Sequence, residues 1–328
     1  MQPFSYLRPA DEAHALGAAQ DADAAYIAGG TTLVDLMRLD VLRPQALVDL
    51  GALPLARIEA TEAGGVRLGA LASNTDVAYH PLVVRACPAL SQALLAGASP
   101  QLRNMATVGG NVLQKTRCSY YRDLAARCNK RAPGSGCDAQ GGQNRLHAIL
   151  GGGPDCIAVH PSDMCVALAA LDATVHTRRP DGGTRAIAFT DFHTLPGAHP
   201  EIESVLAKGE LITHVELPGG ALAARSTYVK VRDRASYAFA LASAAVALDL
   251  DRGRIRAARV ALGGVATKPW RSLEAERELV GQAPGRAVFE KAATAATAGA
   301  KAMKDNRFKV ALVERTIVRA LENLGGAS

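Results

Sequence analysis

Cysteine is scarce for a chain of this size. Six cysteines in 328 residues are too few for a disulfide scaffold, which packs its bridges into a much shorter chain. Charge of one sign is also modest. The net charge of +6 does not by itself demand a nucleic-acid partner, so where the charge sits matters more than its total. Long apolar runs are missing: the most apolar stretch, Ala235 to Leu248, is short and built as much from Ala and Ser as from large residues, which excludes a membrane span. The N-terminus, MQPFSYLRPADEA, lacks a basic region followed by an apolar one, so it is no secretory signal. Read alone, the chain is expected to be soluble and cytoplasmic, and exported only if a partner subunit carries the signal. Repeats, low-complexity tracts, H-x3-H or H-E-x-x-H pairs and a Ser-His-Asp order are likewise missing.

What remains is an ordinary globular composition, 48% hydrophobic, which excludes intrinsic disorder and leaves ample material for a core. The length suggests two domains or one with an appendage. Strand-like Ala25 to Ala28 runs through Gly29-Gly30 into a helix start at Thr31-Thr32, with a Ser/Thr-type cap before the apolar residues. Hairpins are expected at Ile58 to Gly69 and Ala173 to Phe189, and a strand at Leu211 to Leu217. Asn74-Thr75-Asp76 is expected to cap a helix. Pro218-Gly219-Gly220 marks a domain boundary. Beyond it lie three strands, Thr227 to Arg232, Ala238 to Leu250 and Arg256 to Leu262. Helices over Ala287 to Met303 and Phe308 to Leu324 follow.

Two turns suit an anion. In Ile27-Ala28-Gly29-Gly30-Thr31-Thr32-Leu33, glycines let backbone N–H groups approach a ligand and the helix start adds a favourable dipole. The pattern is neither G-x-G-x-x-G nor a P-loop, which needs a Lys. Taken alone it reads as a tight strand–helix connection. A second glycine pair, in Arg103-Asn104-Met105-Ala106-Thr107-Val108-Gly109-Gly110-Asn111, changes the balance, because two such turns can face one diphosphate.

From Ser99 to Asp155 the periodicity is poor, and a long irregular segment inside a compact domain is usually functional. Cys118, Cys128, Cys137 and Cys156 fall in or beside it, spaced C-x9-C-x8-C-x18-C. Four thiolates on loop can wrap a metal centre. The missing C-x2-C knuckles tilt the reading from zinc towards iron–sulfur, with zinc, a disulfide and unrelated thiols left open. Cys87 and Cys165 sit in apolar helical contexts and read as core residues. Between Gln101 and His147 eight cations meet two anions, so the whole net charge is concentrated there. Such cations would stabilise a negatively charged cluster; with Tyr120-Tyr121 they would also suit RNA. Lys230 lies mid-strand and, without context, reads as a surface lysine. Ser162 and Asp163 open a helix and read first as its cap.

Together AGGTTLVDLM, QLRNMATVGGN, RCSYYRD, RCNKRAPGSGC, HPSDM and YVKVRDRASYAFALASAAV closely resemble the FAD-binding subunit of molybdenum hydroxylases, nearest to the bacterial periplasmic aldehyde oxidoreductase and xanthine dehydrogenase type. The resemblance covers nearly the whole chain. It implies an α+β architecture: a vanillyl-alcohol-oxidase (PCMH-type) FAD domain in two subdomains, 1–56 and 57–222, with an iron–sulfur insertion at about 112–157, and a small C-terminal α+β domain, 223–328. It implies that FAD is held by Tyr26, Ile27, Ala28, Gly29, Gly30, Thr31, Thr32, Leu33, Val34, Leu102, Thr107, Gly110, Asn111 and Leu113, with Ser162 and Asp163 near its sugar-like chain and Ile212 and Lys230 near the flavin ring. It implies a [4Fe–4S] cluster on Cys118, Cys128, Cys137 and Cys156. No residue stands out for stacking on the flavin, and no catalytic acid, base or nucleophile is expected. The implied partners are a large molybdenum-cofactor subunit and a small [2Fe–2S] subunit, with neither nucleic acid nor membrane, and export would come from a signal-bearing partner. The competing readings are the flavin subunit of a 4-hydroxybenzoyl-CoA reductase-like enzyme and a zinc-stabilised RNA-binding protein.

Overall fold

The architecture is that of a computed structural model, which describes residues 1–21 and 23–325. Three sheets organise it. The first is parallel: β1 (Ser5–Leu7), β2 (Ala24–Ile27) and β3 (Ala46–Asp49) pair in the order β1-β3-β2. Parallel neighbours need crossovers, and the short helices Glu12–Ala18 and Leu33–Arg38 supply them. Asp11 caps the first, accepting from the His14 N–H at 2.8 Å. The Gly29-Gly30 turn therefore sits at the carboxyl end of β2, the end at which open parallel sheets take their ligands.

The second sheet is antiparallel: β4 (Ile58–Ala60), β5 (Val66–Gly69), β6 (Thr174–Arg178), β7 (Thr184–Ala188) and β8 (Leu211–Leu217), in the order β4-β5-β8-β6-β7. Both expected hairpins are present as β4–β5 and β6–β7. Everything from 70 to 173 is inserted between β5 and β6, and that insertion carries the second glycine turn and the cysteine segment. Val66, Leu68, Val175, Val215 and Leu217 point to one face and bury against the helices Pro88–Ala96 and Asp163–Ala170. The latter has no polar face at all: Met164 to Ala170 are buried throughout, so it runs through the core.

The third sheet is a meander of β9 (Ser226–Val231), β10 (Ala242–Asp251), β11 (Arg254–Gly263) and β12 (Trp270–Arg271). Strand β10 packs on two sides. Ala245 and Ala247 enter the core shared with the second sheet, while Ala244, Val246 and Leu248 enter the core under the helices Leu273–Leu279, Arg286–Thr297 and Phe308–Gly325. A strand covered on both faces reads as a continuous apolar run, which explains the Ala-rich stretch noted in the sequence. No helix among the described residues is long and apolar enough to cross a membrane.

Three local expectations need correcting. Strand β10 begins at Ala242, not Ala238, because its neighbour β9 ends at Val231, the partner of Ala242, and leaves 238–241 no strand to pair with. Ser73, not Asn74, caps the helix Asn74–Tyr79: its Oγ accepts from the Asp76 N–H at 3.0 Å. The helix expected to run to Met303 stops at Thr297.

Lys309, fully buried, ties the last helix to the rest of the molecule. Its Nζ donates to the carbonyls of His147 at 3.1 Å and Gly264 at 2.7 Å. Burial, with Arg145 adding repulsion, pushes its pKa down to about 7. Between pH 7 and the ordinary lysine range the unfolded chain holds a proton that the folded chain releases. Stability therefore rises with pH across that window, by at most about 1.4 kcal/mol per unit, and this contribution is flat below it. Urea unfolding of the wild type and of Lys309→Met at pH 7 and pH 9 checks this: the slope is expected in the wild type and lost in the variant.

Candidate functional site

A cavity of about 770 Å³ opens between the end of the first sheet, the insertion after β5 and the third sheet, a size suited to a large cofactor. Thr31 and Thr32 line it from the first turn, Leu102, Gly110 and Asn111 from the second, Ser162 and Asp163 from a helix start, and Lys230 from β9.

The first turn is built to present donors. Gly30 takes φ +69°, which turns the chain sharply between β2 and the helix Leu33–Arg38. Among the described residues, no protein acceptor takes the backbone N–H of Gly29, Gly30, Thr31 or Thr32. Thr32 precedes the helix, but its hydroxyl caps nothing, contrary to the expected cap. A run of free N–H groups at the start of a helix is an anion cradle.

The second turn is clamped onto the first. A Cβ on Gly29 would lie 1.7 Å from the Met105 carbonyl oxygen, so the two backbones are in direct contact. Val108 and Gly109 donate to the carbonyls of Ala72 at 3.0 Å and Ala70 at 2.8 Å, so their N–H groups anchor the turn to the chain after β5. Thr107 caps the following short helix, accepting from the Gly110 N–H at 3.3 Å. Asn111 is buried, and its Oδ1 accepts from the Ser162 hydroxyl at 2.5 Å.

Ser162 caps the helix, as it first reads from the sequence: its Oγ accepts from the Cys165 N–H at 3.1 Å. Asp163 is held on both oxygens, by the Tyr228 hydroxyl at 2.5 Å and the Lys230 ammonium at 2.7 Å. Lys230 is thus no surface lysine. Its side chain is 3% exposed and also donates to the Ala96 carbonyl at 3.1 Å. Burial, then the Asp163 charge, drives the Tyr228 phenol well above its usual range, so it stays a donor.

Other expected residues lie elsewhere. Tyr26 donates to the Gly209 carbonyl at 2.9 Å and supports the first sheet. Ile27 and Val34 pack around Gly30. Ala28, Gly29, Gly30, Leu33 and Thr107 belong to the two turns without lining the cavity, so Thr31 and Thr32 carry the first turn's side of it. Leu113 borders a smaller cavity of about 190 Å³. Ile212 is buried in the main core, away from the cavity lining. Conversely, Asn74, Arg117, His147, Tyr237 and Phe239 line the cavity and were not singled out. The only signal for the two aromatics was their place in RDRASYAFAL. They lie roughly half-exposed at the cavity, Phe239 beneath the Arg117 guanidinium at 5.2 Å.

The four cysteines are free thiols in one loop cluster. Cys118 lines the cavity itself, with its Sγ 3.1 Å from His147 Nε2. Cys128 and Cys137 face each other across an antiparallel bridge. Burial, with the charges of Cys128 and Cys156 adding to it, pushes Cys118 up to about 12, against N–H groups of Tyr121 and Tyr120 aimed at its sulfur. Ala139, Gln140 and Ile157 aim N–H groups at Cys137 in the same way. The sulfurs do not close to single-ion spacing. Among the described residues the three-ligand groups within 4.8 Å are His160, Cys165 and His193, and His176, His214 and Glu216. Tetrahedral zinc holds its sulfurs about 3.8 Å apart, and no three of these four sulfurs are grouped within 4.8 Å.

The chain matches the model for the FAD binding domain in molybdopterin dehydrogenase over residues 2–220, and that for the CO dehydrogenase flavoprotein C-terminal domain over 226–324. It belongs to the FAD-binding subunits of the molybdenum hydroxylases. It is 49% identical to the aldehyde oxidoreductase FAD-binding subunit PaoB of Escherichia coli K12, with 98% of each chain covered. It is 27% identical to the glyceraldehyde dehydrogenase medium chain of Sulfolobus acidocaldarius, covering 85% of this chain and 82% of that one. The fold matches reconstituted CO dehydrogenase from Oligotropha carboxidovorans with a TM-score of 0.77 at 24% identity, covering all of both chains.

As a flavoprotein of this family the chain binds FAD, and its residues fit that cofactor. The free N–H groups after β2 suit the pyrophosphate, and the buried Asn74 Oδ1 on the cavity wall has no hydrogen-bond partner. Gly29→Ala forces the two turns apart. The purified variant is expected to carry less than about a tenth of the wild-type flavin by absorbance. Gly17→Ala, which meets nothing within 4 Å, is expected to keep it.

Proposed function

We propose that this chain is the FAD- and [4Fe–4S]-carrying electron-transfer subunit of a heterotrimeric, molybdenum-dependent aldehyde oxidoreductase. The observation that carries the reading is Cys118: one of four clustered thiols lines the same cavity as the donors for FAD. FAD supplies a carrier of one or two electrons, and the protein's work is to hold and tune its cofactors. Gly29 to Thr32 would hold the pyrophosphate. Lys230, paired with Asp163, and the aromatic pair Tyr237 and Phe239 would border the ring system. Cys118, Cys128, Cys137 and Cys156 would ligate the cluster, in a setting of N–H groups that lowers the cost of its negative charge.

The substrate class is taken from the 49% identical relative, an aldehyde oxidoreductase. Oxidation would occur on a large molybdenum-cofactor subunit, with electrons passing through a small [2Fe–2S] subunit to this chain and on to an external acceptor. A periplasmic location would follow from co-export with a signal-bearing partner.

The competing basic-loop reading loses its ground in the ion pairs. Asp35 takes Arg117 at 2.9 Å and also Arg122; Glu203 takes Lys130 at 3.0 Å and also Lys115; Asp233 takes Arg145 at 2.8 Å. Asp138 takes Arg127, while Arg103 and Arg131 donate to backbone carbonyls. Each cation in the segment has an acceptor within the protein, which favours a structural role for the segment's charge.

The test is metal and flavin content of the purified full chain. About four irons and four inorganic sulfides per FAD are expected, with iron lost and flavin kept in Cys128→Ser. Stoichiometric zinc without iron in the wild type overturns the cluster assignment. Iron retained in Cys128→Ser removes that residue from the ligand set.

A further inference from the structure

A second group of ligating side chains lies on the open face of the five-stranded sheet. His176 on β6 stands directly opposite His214 on β8, and their rings stack at 4.2 Å with planes 9° apart. Glu216, two residues along β8, points to the same face. Its Oε2 lies 3.5 Å from His176 Nε2 and its Oε1 3.5 Å from His214 Nε2. All three ligand atoms fall within 4.8 Å of one another.

The hydrogen bonds around the group prepare it for a cation. The Thr213 hydroxyl donates to the His176 carbonyl at 3.2 Å, so its oxygen accepts from His214 Nδ1–H at 3.0 Å. That fixes the tautomer, leaving the His214 lone pair on Nε2, facing the carboxylate. His176 Nε2 is shielded from solvent and makes no hydrogen bond. Two imidazole nitrogens and a carboxylate thus lie together with no hydrogen bond satisfying His176, and turning the stacked rings about χ2 aims both in-plane lone pairs at one ion. The 3.5 Å separations are long for hydrogen bonds but close to the ~3.3 Å between ligands of a tetrahedral zinc ion. Arg67 holds only Oε1 of Glu216, at 2.8 Å, and also pairs with Glu59 at 3.1 Å, so Oε2 stays available. The three side chains are 23–28% exposed, and a turn of the His176 ring opens its shielded Nε2 to an ion from solution.

We propose that His176, His214 and Glu216 bind one zinc-class divalent cation, which cross-links β6 to β8 and keeps an open coordination position for water. Mixed imidazole and carboxylate ligation selects zinc, cobalt or nickel over calcium or magnesium. This site lies apart from the flavin cavity and does not rest on the function proposed above.

Zinc uptake by the full-length, flavin-loaded chain tests it, measured by metal analysis after dialysis against zinc alone. The wild type is expected to take up one more zinc per chain than His176→Gln/His214→Gln, at equal flavin content. Glu216→Gln, which keeps the shape of the side chain, is expected to weaken that zinc at least tenfold. Cys128→Ser is expected to keep the difference, which separates this site from the cysteine loop. Equal uptake by the wild type and the double variant overturns the proposal. If the double variant loses flavin, Glu216→Gln decides alone: unchanged affinity overturns it.

Discussion

The flavin cavity depends on one backbone-to-backbone contact, Gly29 against the carbonyl of Met105. No side chain fits there. The contact brings the end of a parallel strand in the first sheet against the start of the turn that follows β5 in the second. From it follow the orientation of the free N–H groups at Gly29 to Thr32, the place of Asn111 on the cavity wall, and the Asn111–Ser162 bond that carries the alignment to the helix Asp163–Ala170. Asp163, at the start of that helix, then reaches Lys230 and Tyr228 on the third sheet. One chain of contacts thus runs from the first sheet through the insertion between β5 and β6 to the third sheet, and its polar links from Asn111 to Lys230 are held where water replaces them poorly.

The cysteine segment is attached by charge. Within the segment cations outnumber anions four to one, and as an isolated loop it would repel itself. Folding supplies the missing carboxylates from three directions: Asp35 from the helix after β2, Glu203 from the loop before β8, and Asp233 from just past β9. Burial would raise the Glu203 carboxyl, but Lys115 and Lys130 hold it below its ordinary range, so it stays ionised. The segment is clasped by its own excess charge, which explains how a stretch with little regular structure is still well placed against the cavity.

Much of this was legible in the sequence, and the limits have physical causes. Alternation along β4 to β8 gave their positions, because one face of that sheet is buried and a slip would expose the core. The two glycine turns were readable as a pair, although neither was persuasive alone; which N–H groups remain free depends on Ala70 and Ala72, which no local pattern announces. Lys230 was unreadable without its partner, since Asp163 is far along the chain. Ile212 illustrates the reverse. Its buried place in β8 follows from the register shift at Thr213, which turns it to the face of Val215 and Leu217 against strict alternation, while a role near the flavin came from resemblance alone. Tyr237 and Phe239 were hidden because the apolar run appeared to continue through them into β10, and the break is set by where its neighbour β9 ends.

In the proposed reading, cofactor retention rests mainly on backbone donors at the pyrophosphate, with the ring system held more loosely at the half-exposed aromatic pair. The most direct measurement is the affinity of the flavin-free protein for FAD against riboflavin, which has the ring but no phosphate. Two or more charge-assisted N–H bonds, each contributing about 1.5–3 kcal/mol, predict FAD binding at least ~100-fold tighter. Riboflavin binding as tightly as FAD would contradict the account.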